Sequence, residues 1–249
     1  ICRLYRGAAG TAANAVRPAH PHLSDLCAAV FRDKNASRRC VLRFGAVFSN
    51  CGFMSIPLQA ALLGGDGVFY GAAFVAIFNL VLWSYGVLVM SGDKKTLSPV
   101  KLLLNPGVAG VVAGFLLFVF SVRLPQVISA PIDYMASLNT PLPMLIIGFY
   151  LSRTNLKQAL LDKRQYLAIF LRLVVIPLCT LVLMYLLHIR GVILVVCVIA
   201  ASAPVAAATT MFAAKFDRDT ALSVNMVSLS TLFSLITMPL IVGLAQTLA

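Results

Sequence analysis

"FSNCGFMSIPL", residues 48–58, lies inside an apolar run long enough to cross a bilayer, yet it carries Asn50, Gly52 and Pro57. Proline lacks a backbone N–H and clashes with the carbonyl four residues back. At membrane depth the backbone freed this way needs protein partners or a water-filled cavity. A second stretch has the same character. In "VIAASAPVAAATTMFAAKF" (198–216), Ser202, Pro204, Thr209 and Thr210 interrupt a run of small residues. These two stretches are the candidates for broken helices.

Two broken helices that meet near the bilayer centre present half-helix N-termini, each with roughly +0.5 of an elementary charge. Their free N–H groups can hold an anion, and inverted-repeat transporters build substrate sites in this way. The plainer alternative is that Pro57 and Pro204 merely kink packed helices, because Gly and Pro are common in membrane helices. Two prolines, each flanked by small polar residues, favour a site.

Composition places the chain in a membrane. Of 249 residues, 60% are hydrophobic and 11% charged, and the mean hydropathy is +0.94. Soluble domains average about 25% charged. The reading is an all-α integral membrane protein with the lipid bilayer as its surroundings. A net charge of +12 would suggest nucleic acid in a soluble protein, but membrane proteins collect Lys and Arg in cytoplasmic loops, so no nucleic-acid partner is expected. Cys2, Cys27, Cys40, Cys51, Cys179 and Cys197 form no C-x-x-C pair, and His20, His22 and His188 show no ligand spacing. No metal, no cofactor and no disulfide framework is expected. Catalytic motifs such as H-E-x-x-H and G-x-S-x-G are absent from the sequence, so the reading is not an enzyme.

Spans of about 20 apolar residues are read near 44–63, 68–90, 103–121, 126–151, 166–187, 191–213 and 221–247, with turn signals at "GGDG" (64–67), "SGDKK" (91–95), "RLP" (123–125) and "HIRG" (188–191). Basic-rich and basic-poor connections alternate: Arg32 to Arg43, then Asp66; Lys94, Lys95 and Lys101, then Arg123; Arg153 to Arg164, then Arg190; then Lys215 and Arg218. The positive-inside rule makes the rich connections cytoplasmic. The expected protein is multi-pass in the plasma (cytoplasmic) membrane with its C-terminus outside. Residues 1–23 lack a signal-peptide core and an initiator Met, which suggests a fragment, and 24–43 read as the tail of a helix followed by a basic loop.

Other polar residues fall inside spans. Span four holds Asp133, Asn139, Thr140, Pro141 and Pro143. Intramembrane ionisable residues are costly and usually functional, so Asp133 is a candidate coupling residue, although its short distance past Pro125 also fits the outer interface. Arg172 reads as a residue near the cytoplasmic end of span five, snorkelling to the surface. Asn225, Ser228, Ser230, Thr231 and Ser234 in span seven read as interhelix hydrogen-bond partners.

"RFGAVFSNCGFMSIPL" (43–58), "NPGVAG" (105–110), "NTPLPMLIIGFYL" (139–151) and the run 201–240 resemble the auxin efflux carrier family of membrane permeases, whose bacterial members are similar to organic-acid permeases. The resemblance covers about residues 26–247. It implies ten helices in two inverted five-helix repeats, of the bile-acid symporter or sodium-proton antiporter-like type, with two broken helices crossing at prolines. Here those would be Pro57 and Pro204. Asn50, Gly52, Asn139, Pro141, Ser202 and Thr209 would join them in the substrate site. About seven of the ten helices are present, which implies N-terminal truncation. Residues 1–43 would be a remnant, 44–95 the last two helices of the first repeat, and 96–249 a complete second repeat.

The expected function is secondary active transport of a small organic anion, a mono- or dicarboxylate, coupled to a proton or sodium gradient. A homodimer is compatible with it. A channel-like pore would favour a charged ring or selectivity loop, and a membrane sensor would need an attached signalling domain. The sequence contains neither.

Overall fold

A computed structural model describes residues 33–92, 106–122, 124–138, 141–152 and 162–249. These residues are helical almost throughout: α1 (Ala36–Val47), α2 (Cys51–Ser91), α3 (Pro106–Val119), α4 (Gln126–Ser137), α5 (Pro141–Ser152), α6 (Lys163–Leu186), α7 (Val192–Ser202), α8 (Ala208–Lys215) and α9 (Thr220–Leu248). Among them α2, α6 and α9 are long and apolar enough to cross a membrane, and α7 is a shorter apolar helix.

α2 is two limbs rather than one rod. Gly64 sits at φ 63°, ψ −143°, a conformation open mainly to glycine. The chain then doubles back, so that a Cβ on Gly67 would lie 2.6 Å from the Gln59 carbonyl oxygen, and one on Gly71 would overlap Gln59 Oε1. Residues eight or more apart on a straight helix are too distant for this. The turn falls inside the "GGDG" signal. Small residues let the limbs approach closely, as membrane helix pairs favour.

The structure corrects three boundaries. α1 begins at Ala36, where Asn35 caps it by accepting the Ser37 N–H. Arg38, Arg39 and Arg43 therefore lie on a helix and not in a loop. Span four is two helices, α4 and α5. The first break lies at Phe48–Asn50, and not at Pro57. Pro57 instead follows a π-helical turn, Cys51–Ser55, and Pro177 follows another, Leu171–Val175. A wide turn gives the proline ring room and absorbs the missing hydrogen bond, so neither proline ends its helix.

The two ends of the molecule differ. Arg38 pairs with Asp33, Asp162 and Asp219, and Arg164 pairs with Asp33. Asp162 caps α6 and Asp219 caps α9, so one arginine gathers the N-termini of three helices. Arg218 joins them by donating to the Met90 and Ser91 carbonyls at the end of α2. The basic-rich connections that are described thus meet at one end. Away from it, Ser55 donates to the Ile199 carbonyl and Gln59 to that of Val196, so α2 and α7 run antiparallel toward Gly64 and Gly191, and the Gly191 N–H donates to the Ala249 carbonyl.

α7 packs on α2, α6 and α9 and is buried almost all round, as its uniformly apolar sequence demands. Large apolar side chains on α3, α4, α5 and the outer faces of α6 and α9 are exposed, which suits lipid.

Candidate functional site

The two breaks meet. α1 ends at Val47 and α7 at Ser202, and the extended segments that follow form an antiparallel bridge between Ser49 and Val205. The Asn50 N–H donates to the Pro204 carbonyl at 2.8 Å, and the Ala206 N–H donates to the Phe48 carbonyl at 3.0 Å. The Val205 N–H donates to Ser230 Oγ on α9 at 3.0 Å. Backbone that leaves a helix inside a membrane must find such partners, and here each break supplies them to the other. Pro204 has no N–H to lose at this point.

Sequence expectations sort cleanly by position. Asn50, Ser202, Pro204 and Thr209 lie at or beside the crossover and are buried, and Gly52 is half-buried in the first turn of α2. Pro57 and Pro141 are exposed, and Asp133 is exposed on α4, which buries no residue. Asn139 lies outside the described residues.

Arg172 is the residue that sequence reading misplaced. It is 2% exposed and does not snorkel. Its Nη2 donates to the Ala201 carbonyl at 2.7 Å, its Nε to Ala203 at 3.2 Å, and its Nη1 to Val47 at 3.4 Å. One guanidinium thus caps the C-terminal ends of both broken helices, where unpaired carbonyls carry partial negative charge. The local signal was a charge at the seventh residue of the span 166–187, and that does not say which way the side chain turns. Gln59 was missed as well. It is buried, donates from Nε2 to the Val196 carbonyl at 3.1 Å, and leaves Oε1 without a partner.

On the opposite side of the crossover are helix N-termini. α2 starts immediately after Asn50, whose side chain makes no capping bond. α8 starts just past Ala206, and in its first turn Thr209 is fully buried with Oγ1 unpaired. Unpaired buried hydroxyls are rare and call for an explanation. No described carboxylate neutralises these ends: among the described residues the sole buried one is Asp33, in the charged cluster. An aromatic cluster seals the crossover, with Phe44 and Phe48 at 4.4 Å, Phe48 and Phe78 at 5.7 Å, and Phe212 between Phe44 and Trp83. A separate groove of about 480 Å³ between α5 and α8 is lined by Leu145, Phe149, Tyr150 and Met211. It is apolar and holds none of the crossover's polar groups.

Among the described residues no cluster of His, Cys, Asp or Glu could hold a metal ion. What the crossover offers is backbone dipoles, hydroxyls and amides around one buried cation. The family profile for a membrane transport protein matches residues 93–242, more than half of the chain. The chain belongs to the membrane transport protein family. This membrane transport protein is 27% identical over 202 residues to an uncharacterized transporter of Methanothermobacter thermautotrophicus. The match covers 80% of the chain and spans 66% of that relative's length. No solved structure gave a significant match.

Proposed function

We propose that the chain is a secondary active permease for a small organic anion of the mono- or dicarboxylate class, of the auxin efflux carrier type. The observation that carries this reading is the crossover itself. Two helix N-termini face a region without carboxylates, one beside an uncapped Asn50 and one holding the unpaired Thr209 hydroxyl. Such ends attract anions. Asn50, Gly52, Ser202 and Thr209 are the residues assigned to the substrate.

The crossover residues are buried, so this conformation is closed around the site. Alternating access would open it by moving one broken helix against its packing partners. The two breaks belong in this reading to two inverted repeats, with 44–95 ending the first and 96–249 forming the second. The charged cluster would face the cytoplasm and the C-terminus the outside. A proton or sodium gradient would drive transport. Asp133 is the coupling candidate, and Asp133→Asn should then remove gradient dependence without altering substrate affinity.

Uptake of labelled malate, malonate, lactate and an indole acid into proteoliposomes, with and without an imposed pH gradient, tests the proposal. Saturable, gradient-dependent uptake that Asn50→Ala weakens is expected. No saturable flux of any anion by folded protein, or an Asn50→Ala variant with unchanged rate and affinity, would overturn it.

A further inference from the structure

We infer that Arg172 sets the charge that the crossover presents, and that this charge selects a monovalent organic anion over a divalent one. The inference rests on the anion reading above and deepens it. Each broken helix contributes one C-terminal and one N-terminal end at the crossover. At about half an elementary charge per end, the two C-termini amount to about −1 and the two N-termini to about +1. Without Arg172 the four ends cancel. The guanidinium donates to Ala201 and Ala203 at one C-terminus and to Val47 at the other, so its charge lies on the negative ends and neutralises them. About one unit of positive charge is left, carried by the N-termini of α2 and α8.

Burial gives this count its force. Arg172 is 2% exposed, and Asn50, Ser202 and Thr209 are 4% exposed or less, so solvent screens little of the field. One carboxylate balances it. The second charge of a dicarboxylate would be buried without a partner, which is costly. The nearest other charge along either broken helix is Arg43, one turn before the end of α1. It is half-buried.

The test is equilibrium binding to the full-length protein at neutral pH, using acids matched in size and differing in charge: lactate against malonate, butyrate against succinate, and benzoate against phthalate. The monovalent member of the bound pair should bind at least about tenfold more tightly. Arg172→Lys, which keeps the charge and loses the fork, should keep that order. Arg172→Gln should weaken the monoanion by about tenfold or more and flatten the preference to within about threefold. Arg43→Gln should keep the order. A divalent acid that binds as tightly as its monovalent partner in the unaltered protein overturns the charge count while leaving the anion reading intact, and it does so even where Arg172→Gln fails to fold. Arg172→Lys behaving like Arg172→Gln would mean a purely structural cap, and Arg43→Gln flattening the preference equally would mean a general positive field. Binding of none of the acids overturns the anion reading and this inference with it.

Discussion

Asn50 and Pro204 are joined through the backbone: the amide of the first donates to the carbonyl of the second at 2.8 Å, across the point where two helices break. Each break frees peptide groups that need partners at membrane depth, and the other break, Arg172 and Ser230 supply them.

The two prolines singled out in the sequence should therefore differ. Pro204 lies in the break, and Pro57 is exposed one turn into a helix that already accommodates it. Pro204→Ala lets α7 continue toward α8 and pulls the Asn50 acceptor away. It should reduce uptake by about tenfold or more, a change of about 1.4 kcal/mol, whereas Pro57→Ala should leave it within about twofold. Equal losses in a proteoliposome assay would contradict the break position.

Ser230 holds the bridge from α9 by accepting the Val205 N–H at 3.0 Å. Ser230→Ala orphans a buried donor and should cost about 1–3 kcal/mol of stability. Denaturant unfolding in detergent reads this directly. A change within about 0.5 kcal/mol, the range of an inconsequential surface substitution, would mean that water or another group fills the place.

Gly71 is where the two limbs of α2 touch, and a Cβ there would overlap Gln59 Oε1. Gly71→Ala must displace a buried amide or spread the limbs, a cost of about 1–3 kcal/mol. Gly110→Ala meets nothing within 4 Å and should be neutral or slightly stabilising as a helix substitution. Thermal unfolding of both variants side by side decides the point.

Asp33 predicts the acid limb of stability. Burial pushes its carboxyl up, but the Asn35 N–H bond and the guanidiniums of Arg164 and Arg38 outweigh burial and hold it below its ordinary value. A carboxyl lowered in the folded state stabilises fully above its unfolded pKa, and that contribution disappears as the pH falls through the folded one. The stability that Asp33 contributes should be flat through neutrality and decline below the usual carboxylate range. Arg38→Gln should make the decline shallower. An unchanged acid limb in a pH series of unfolding curves would show that Arg38 does not stabilise the charged form.

By itself the sequence determined the class of protein and the place of its Gly64 turn. Hydropathy, turn glycines and alternating basic connections are local or additive quantities, so 20-residue spans and a hairpin turn at Gly64 can be read in order along the chain. It also marked Pro204 as a break, because a proline among small residues weakens a helix wherever it sits. The tertiary structure decided what the breaks do. Pro57 looks equivalent to Pro204 in sequence, yet a π-helical turn absorbs it, and the first helix parts at Phe48–Asn50 because the carbonyl and amide of Pro204 and Ala206 are there to receive it. Arg172 reads as a surface charge until two helix ends, far apart in the chain, bring three carbonyls to its guanidinium. Hydrogen bonds between distant segments leave no period or spacing in either segment, and only the packed molecule brings their partners together.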